Sequence, residues 1–242
     1  MSWQNIFKNI VDVIYTPACL GCSDILQPEK EKYFCGNCHE QIRYLNKSIC
    51  PVCGIAFFDS PAGNHLCGKC LEQRPYFSLA RAVAAYEKVI MEAVHRFKYG
   101  RDLSTGSILS SFMADFQFPG FDYRNYSLIV PVPLHIKKLR ERGFNQSVIL
   151  AQALKKKWQI SLNYFLLKRS KFTLTQTGLD KEEREKNIKG AFEVTSAKNV
   201  KDKNIILVDD VYTTGATLNE CAKTLRKAGA KDVAVLTLAR VL

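Results

Sequence analysis

Eight of this chain's nine cysteines fall in four Cys-x-x-Cys pairs: Cys19/Cys22, Cys35/Cys38, Cys50/Cys53 and Cys67/Cys70. A Cys-x-x-Cys turn aims two sulfurs at one point in space, and two such turns complete a tetrahedral four-sulfur site for zinc. Twelve residues separate Cys22 from Cys35 and thirteen separate Cys53 from Cys67, spacings that suit two successive zinc ribbons. A disulfide framework needs an oxidising compartment, and the start Met1-Ser-Trp-Gln-Asn-Ile-Phe-Lys8 has no secretory pattern. Consecutive pairing closes the shorter loops; an interleaved arrangement, first pair with third and second with fourth, would use the same eight ligands. Four thiolates leave a metal no open position, so the two Zn2+ ions read as structural. The segment is poor in large aliphatic side chains, and metal binding supplies the folding free energy its core lacks. With four sulfurs per site, the nearby His39 and His65 read as bystanders.

The second constraint is Ile205-Ile-Leu-Val-Asp-Asp-Val-Tyr-Thr-Thr-Gly-Ala-Thr-Leu218. The apolar run Ile205–Val208 predicts a buried parallel strand. It places Asp209 and Asp210 at its carboxyl end, where open α/β sheets bind ligands. Thr213, Thr214, Gly215, Ala216 and Thr217 then form a short loop opening a helix from Leu218 to Lys227. Backbone N–H groups of such a loop, backed by the helix dipole, make an anion site. Aspartates beside a phosphate repel it, so the two carboxylates are expected to accept hydrogen bonds from sugar hydroxyls and to work with Mg2+. Cys221, in the helix, reads as a small buried residue.

Charge and further motifs extend the pattern. The formal charge is +12: residues 1–70 hold six basic and six acidic side chains, and residues 71–242 hold 29 and 17. Lys137–Lys189 alone carries fourteen basic and five acidic residues. A basic surface attracts phosphates of nucleic acids or nucleotide precursors. Ser127–Pro133 predicts another buried strand, followed by a basic loop with Lys137, Lys138, Arg140 and Arg142, then a helix over Ser147–Lys157. Strands are also expected at Val83–Glu87 and Val233–Leu238. The stretch from Lys168 to Asn187 is polar and charged, with Thr175, Gln176, Arg184 and Asn187 as its notable polar positions, and Lys181–Lys189 reads as a charged surface helix. Ile6, Phe7, Ile10, Val11 and Ile14 recur at helical spacing and predict an amphipathic helix. No apolar stretch reaches the roughly 18 residues of a membrane span, and a cytoplasmic protein is expected.

The 205–218 segment closely resembles the signature of type I phosphoribosyltransferases for phosphoribosyl pyrophosphate (PRPP). That resemblance gives Asp209 and Asp210 the ribose hydroxyls, as the catalytic pair, and Thr213–Thr217 the 5-phosphate. It gives the loop with Lys137, Lys138, Arg140 and Arg142 the pyrophosphate, and makes the stretch holding Thr175, Gln176, Arg184 and Asn187 a lid. Ala216 stands where many members carry Gly. Thr213 stands where hypoxanthine and guanine enzymes carry Asp, which argues against those acceptors. Four Cys-x-x-Cys pairs, Phe97-Lys-Tyr-Gly100, Pro131-Val-Pro133, Arg142-Gly-Phe-Asn-Gln146 and the Asp209–Thr217 signature together resemble the ComF family.

The expected architecture is α/β: a zinc-ribbon module over 1–75, then a type I phosphoribosyltransferase fold with a central parallel sheet over 76–242. The ComF resemblance links the chain to natural transformation and the handling of imported single-stranded DNA. Three functions stand open. One is a transferase using Mg2+ and PRPP with an unidentified acceptor. Another is a single-stranded-DNA-binding platform, with Phe144, Tyr164 and Phe165 as its aromatics. The third is an adaptor whose ribbons dock a DNA-uptake helicase or channel component.

Overall fold

A computed structural model describes residues 17–27, 29–57, 63–100, 102–170 and 188–242. Among these residues seven strands are formed: β1 (Leu79–Ala85), β2 (Leu128–Pro131), β3 (Ser161–Leu162), β4 (Leu167–Arg169), β5 (Phe192–Val194), β6 (Asn204–Tyr212) and β7 (Asp232–Arg240). Five of them make a parallel sheet in the order β1-β7-β6-β2-β3, and β4 and β5 pair antiparallel beside it. The sheet strands are buried on both faces, which is why they read as near-continuous apolar runs. Among the described residues seven α-helices accompany them: α1 (Gly36–Glu40), α2 (Gly68–Glu72), α3 (Lys88–Tyr99), α4 (Leu103–Asp115), α5 (Ile136–Arg142), α6 (Gln146–Trp158) and α7 (Ala216–Lys227).

Strand boundaries differ from expectation for nameable reasons. β1 runs over Leu79–Ala85, not Val83–Glu87, because β7 pairs with it from Leu79↔Ala234 to Ala85↔Arg240. Alanine is a poor strand former, and the partner overrides propensity here. β6 does not stop at Val208; Asp209, Val211 and Tyr212 stay paired with Thr237, Ala239 and Arg240 of β7. On its other side, β2 ends at Pro131 opposite Val208. The two aspartates are therefore held by one neighbour and open toward the other. The chain passes from β2 through α6 to β3 in one direction, and from β6 through α7 to β7 in the opposite one. The crevice beyond β2 and β6 is thus the topological switch point, where ligands bind in such sheets.

Two apolar clusters cover the sheet. Ile206 and Val208 belong to one, with Ile90 and Phe97 of α3, Met113 of α4 and Leu150 of α6. Ile205 and Leu207 belong to the other, with Leu218 and Leu225 of α7 and Leu166 and Phe192 beside it. Alternation along β6 puts them on opposite faces. The first cysteine-rich unit joins the first cluster through Leu20, Leu26 and Phe34, and the second joins the other through Cys50, Val52 and Phe77. Between them the chain runs along the outer edge of β1. Leu45 N–H donates to Val83 C=O at 3.0 Å, Ala85 N–H to Arg43 C=O at 2.9 Å, and Ala80 N–H to Val52 C=O at 2.7 Å. An edge that would otherwise present unpaired backbone groups is covered. The amphipathic helix expected around Ile6–Ile14 lies outside the described residues. Among the described residues no helix is long and apolar enough to cross a membrane.

Candidate functional site

The carboxylates at the switch crevice have unlike surroundings. Asp209 Oδ1 accepts hydrogen bonds from Ser147 Oγ at 2.8 Å and from the Asp210 N–H at 2.9 Å. Burial, then the charge of Asp210, pushes its carboxyl up to about 7 against the pull of Ser147 and Lys98. Asp210 is 8% exposed and pairs with Lys98 Nζ at 2.9 Å. Burial alone would push Lys98 down; the Asp210 charge outweighs it and holds the ammonium above its ordinary value.

Cations crowd the same crevice. The stretch after β2, expected as a loop, is the two-turn helix α5, opened by His135 Nδ1 accepting the Lys137 N–H at 3.3 Å. Gly143 ends it at φ +85°. The helix sorts its four basic residues. Lys137 and Arg140 are exposed, whereas Lys138 and Arg142, four residues apart on one face, are half-buried. Burial, followed by repulsion from Arg169, Arg142 and Lys98, pushes Lys138 down. Burial likewise lowers Arg169, at the end of β4, which the Asp209 charge partly offsets. The Arg142 guanidinium lies 5.4 Å from the Tyr99 ring centroid. These are cations held close before any anion arrives.

The phosphate-type loop is shorter than expected. α7 opens at Ala216, so Ala216 and Thr217 sit in its first turn and Thr213–Gly215 alone form the loop. Gly215, the N-cap at φ +82°, supplies no side-chain cap to the first N–H groups. A Cβ there would run into the Tyr212 hydroxyl. Gly215→Ala should therefore lower stability by about 1–3 kcal/mol. The drop should appear in the unfolding midpoint, and Tyr212→Phe in the same chain should restore part of it.

Both cysteine-rich units form metal-ready sites. The sulfurs of Cys19, Cys22, Cys35 and Cys38 lie within 4.8 Å of one another, as do those of Cys50, Cys53, Cys67 and Cys70. Consecutive pairing is thus the arrangement built. Cys22 and Cys35 sulfurs stand 3.6 Å apart and those of Cys53 and Cys67 3.5 Å. Zinc–sulfur bonds of roughly 2.3 Å at tetrahedral angles need about 3.8 Å. Cys19 Sγ accepts the Gly21 and Cys35 N–H groups, each at 3.3 Å. Gly21 has no room for a side chain, since a Cβ would stand 2.6 Å from Cys38 Sγ. Burial pushes the Cys50 thiol up, but backbone N–H groups of Cys67, Cys53 and Val52 outweigh it and bring it to about 6. The donor set fits zinc. His39 packs on Tyr44 and His65 stacks on Phe57 at 3.8 Å, so neither completes a site.

A model of the double zinc ribbon domain matches residues 10–71, and one of the phosphoribosyl transferase domain matches residues 142–242. Competence protein F of Haemophilus influenzae is 32% identical over 92% of this chain and 96% of its own length. The chain belongs to the ComF family. Another relative, competence protein ComFC of Bacillus subtilis, is 30% identical over 89% of this chain and 87% of that one. The DNA utilization protein YhgH of Escherichia coli is 32% identical over 86% and 90%. In this ComF-family chain the two four-cysteine zinc sites precede a phosphoribosyltransferase fold with its central parallel sheet.

Of the residues expected in the site, the structure gathers Asp209, Asp210, Lys138, Arg142 and the 213–217 segment, and leaves Lys137 and Arg140 on the outer side of α5. Thr175, Gln176, Arg184 and Asn187 lie outside the described residues. Ser147, Lys98 and Arg169 were missed as site residues. Only Lys98 carried a signal, as part of the Phe97-Lys-Tyr-Gly100 string. Cys221 is fully buried, as expected.

Proposed function

We propose that this chain binds PRPP at the switch crevice and transfers its phosphoribosyl group to an acceptor during the handling of imported DNA. The juxtaposition that carries the reading is a carboxylate pair facing Lys98, Lys138, Arg142 and Arg169, beside the N-terminus of α7, whose N-cap Gly215 has no side chain to cap it. Asp209 and Asp210 accept from the ribose hydroxyls, the N–H groups of the 213–217 segment hold the 5-phosphate, and Lys138, Arg142 and Arg169 face the pyrophosphate. Positioned cations stabilise charge gathering on that leaving group as the bond from C1 to its oxygen breaks and the acceptor's bond to C1 forms. Mg2+, an oxygen-seeking cation, suits these carboxylates and would neutralise pyrophosphate charge when bound. A role in transformation is supported by the names of the relatives, competence proteins and DNA utilization proteins. Eight thiols committed to zinc require a reducing compartment, so the cytoplasm is its place of work. The zinc module is taken to end near residue 75.

Calorimetric titration of PRPP with Mg2+ tests this. Saturable binding is expected, weakened at least about 100-fold in Asp209→Asn/Asp210→Asn, as two charged hydrogen-bonding groups are lost. Circular dichroism checks the fold of the double variant, with Asp209→Asn alone as the fallback. No binding by zinc-replete, folded wild type overturns the proposal. A second reading, a single-stranded-DNA platform, is favoured by Phe165, which is 79% exposed with Tyr164 beside it at 6.2 Å. Phe144 packs on Phe97 at 5.5 Å and belongs to the core. That reading requires DNA affinity that falls steeply with salt and drops in Phe165→Ala.

A further inference from the structure

We infer that the cavity between the second zinc ribbon and α7 is a binding site for a nucleoside di- or triphosphate, adjoining the PRPP crevice at the 213–217 segment but lying away from its carboxylates. The cavity, of about 550 Å³, is lined by α2 and the following segment to Phe77 on one side, and by one face of α7 on the other. That volume suits a whole small ligand rather than a lone phosphate. Asp209, Asp210, Lys98, Lys138 and Arg142 take no part in its lining, and it touches the 213–217 segment only at Thr214, Gly215 and Ala216.

Its chemistry has two halves. Lys69, Arg74, Lys189 and Lys223 face it, and among the described residues none of the four forms an ion pair. The one carboxylate in the lining among the described residues, Glu220, already accepts the Gly190 N–H at 2.8 Å. A surplus of cations around one cavity attracts a polyanion. The remaining walls are apolar and aromatic, with Pro75, Tyr76, Phe77, Ile188 and Tyr212. Tyr76 is 47% exposed and holds the Lys223 ammonium 5.4 Å from its ring centroid. Nothing in a bare polyphosphate uses that half. A nucleotide uses both, its phosphates on the cations and its base against the aromatic wall.

The floor is fixed rather than adaptable. Arg240 is 7% exposed, lies 3.9 Å from the Tyr212 ring centroid and donates Nη1–H to the Cys53 carbonyl at 2.6 Å. Its buried Nε has no partner among the described residues. Lys69 Nζ donates to the Thr214 carbonyl at 3.0 Å, and Asn219 Oδ1 accepts the Tyr76 N–H at 2.8 Å. The zinc ribbon and α7 are thereby locked together across the cavity.

The test is titration of zinc-loaded, full-length protein with ATP, GTP, tripolyphosphate and adenosine. A nucleotide should bind at least about tenfold more tightly than tripolyphosphate or adenosine, and the affinity should fall at least tenfold in Lys223→Ala and in Tyr76→Ala. Asp209→Asn, which keeps the Lys98–Asp210 pair, should bind the nucleotide unchanged. Equal affinity for tripolyphosphate, no nucleotide binding, or loss of nucleotide binding in Asp209→Asn would each overturn the inference. The last outcome would mean the nucleotide occupies the switch crevice.

Discussion

Chelating the zinc from this protein is expected to unfold it and drive it into aggregates, with loss of the helical circular dichroism signal and a rise in light scattering. Each structural zinc contributes on the order of 10–16 kcal/mol to folding in small metal modules, comparable to or above the 5–15 kcal/mol net stability of an ordinary domain. Here the loss would not stay local. Cys19 and Cys38 sit in the same apolar cluster as Phe97 and Ile206, and Cys50, Cys53 and Cys70 in the same one as Leu207 and Leu225. Arg43, Leu45 and Val52, which pair with β1, are tied to those cysteines, so losing the metal frees a parallel-sheet edge for intermolecular pairing. Cys38→Ser and Cys53→Ser should each reproduce most of the effect, with one zinc per chain lost by metal analysis. Retention of cooperative unfolding after complete removal of zinc would refute the structural role.

Asp209→Asn and Asp210→Asn should move stability in opposite directions. Asp210→Asn leaves the largely buried Lys98 ammonium without its direct partner and with only the Asp209 charge near it, a loss of about 1–3 kcal/mol, since the asparagine carbonyl still accepts a hydrogen bond. Adding Lys98→Met should recover much of it. Asp209→Asn instead removes a buried charge that repels Asp210, while an amide oxygen can keep the bonds from Ser147 and the Asp210 N–H. A gain of about 1–2 kcal/mol near neutral pH is expected. The pH dependence follows from the same carboxyl. It titrates near 7 in the folded chain and near its ordinary value of about 4 in the unfolded one, so the native state holds the extra proton between them. Wild-type stability from this group therefore falls as pH rises from about 4 through 7, then levels off. Asp209→Asn should lack that slope in denaturant titrations at several pH values. An unchanged profile would place the titration elsewhere.

The features legible in the sequence are those local to a short segment. The cysteine spacing gave the eight ligands and favoured consecutive pairing without excluding the interleaved one, and Ile205–Thr217 gave a strand, its acids and a helix opening within a few residues. The site's other half is assembled from afar. Lys98 ends a helix packed on one face, Ser147 opens another after β2, and Arg169 closes a short strand at the sheet's flank; each meets the aspartates only because the sheet order brings them there. Binary patterning also misjudged α5. Ile136-Lys-Lys-Leu-Arg-Glu-Arg142 looks like a solvated loop, but a His135 cap and Gly143 at φ +85° bound two helical turns. The reach of β6 past Val208 was hidden for a related reason, since acids seldom continue a strand unless a neighbour such as β7 holds them.

The place of β7 has a consequence for how the protein is made. Among the described strands it comes last in sequence, yet it lies between β1 and β6, with Arg240 bonded to the second zinc ribbon. The ribbons precede the sheet in sequence and can load metal before it is complete, but β1 has no inner partner until about residue 240 has been synthesised. Until β7 is made, β6, β2 and β3 can pair while β1 and the ribbons stay detached from them, a species that folds late and invites chaperone attention. Losing even the final few residues of β7 would open the middle of the sheet rather than trim its rim.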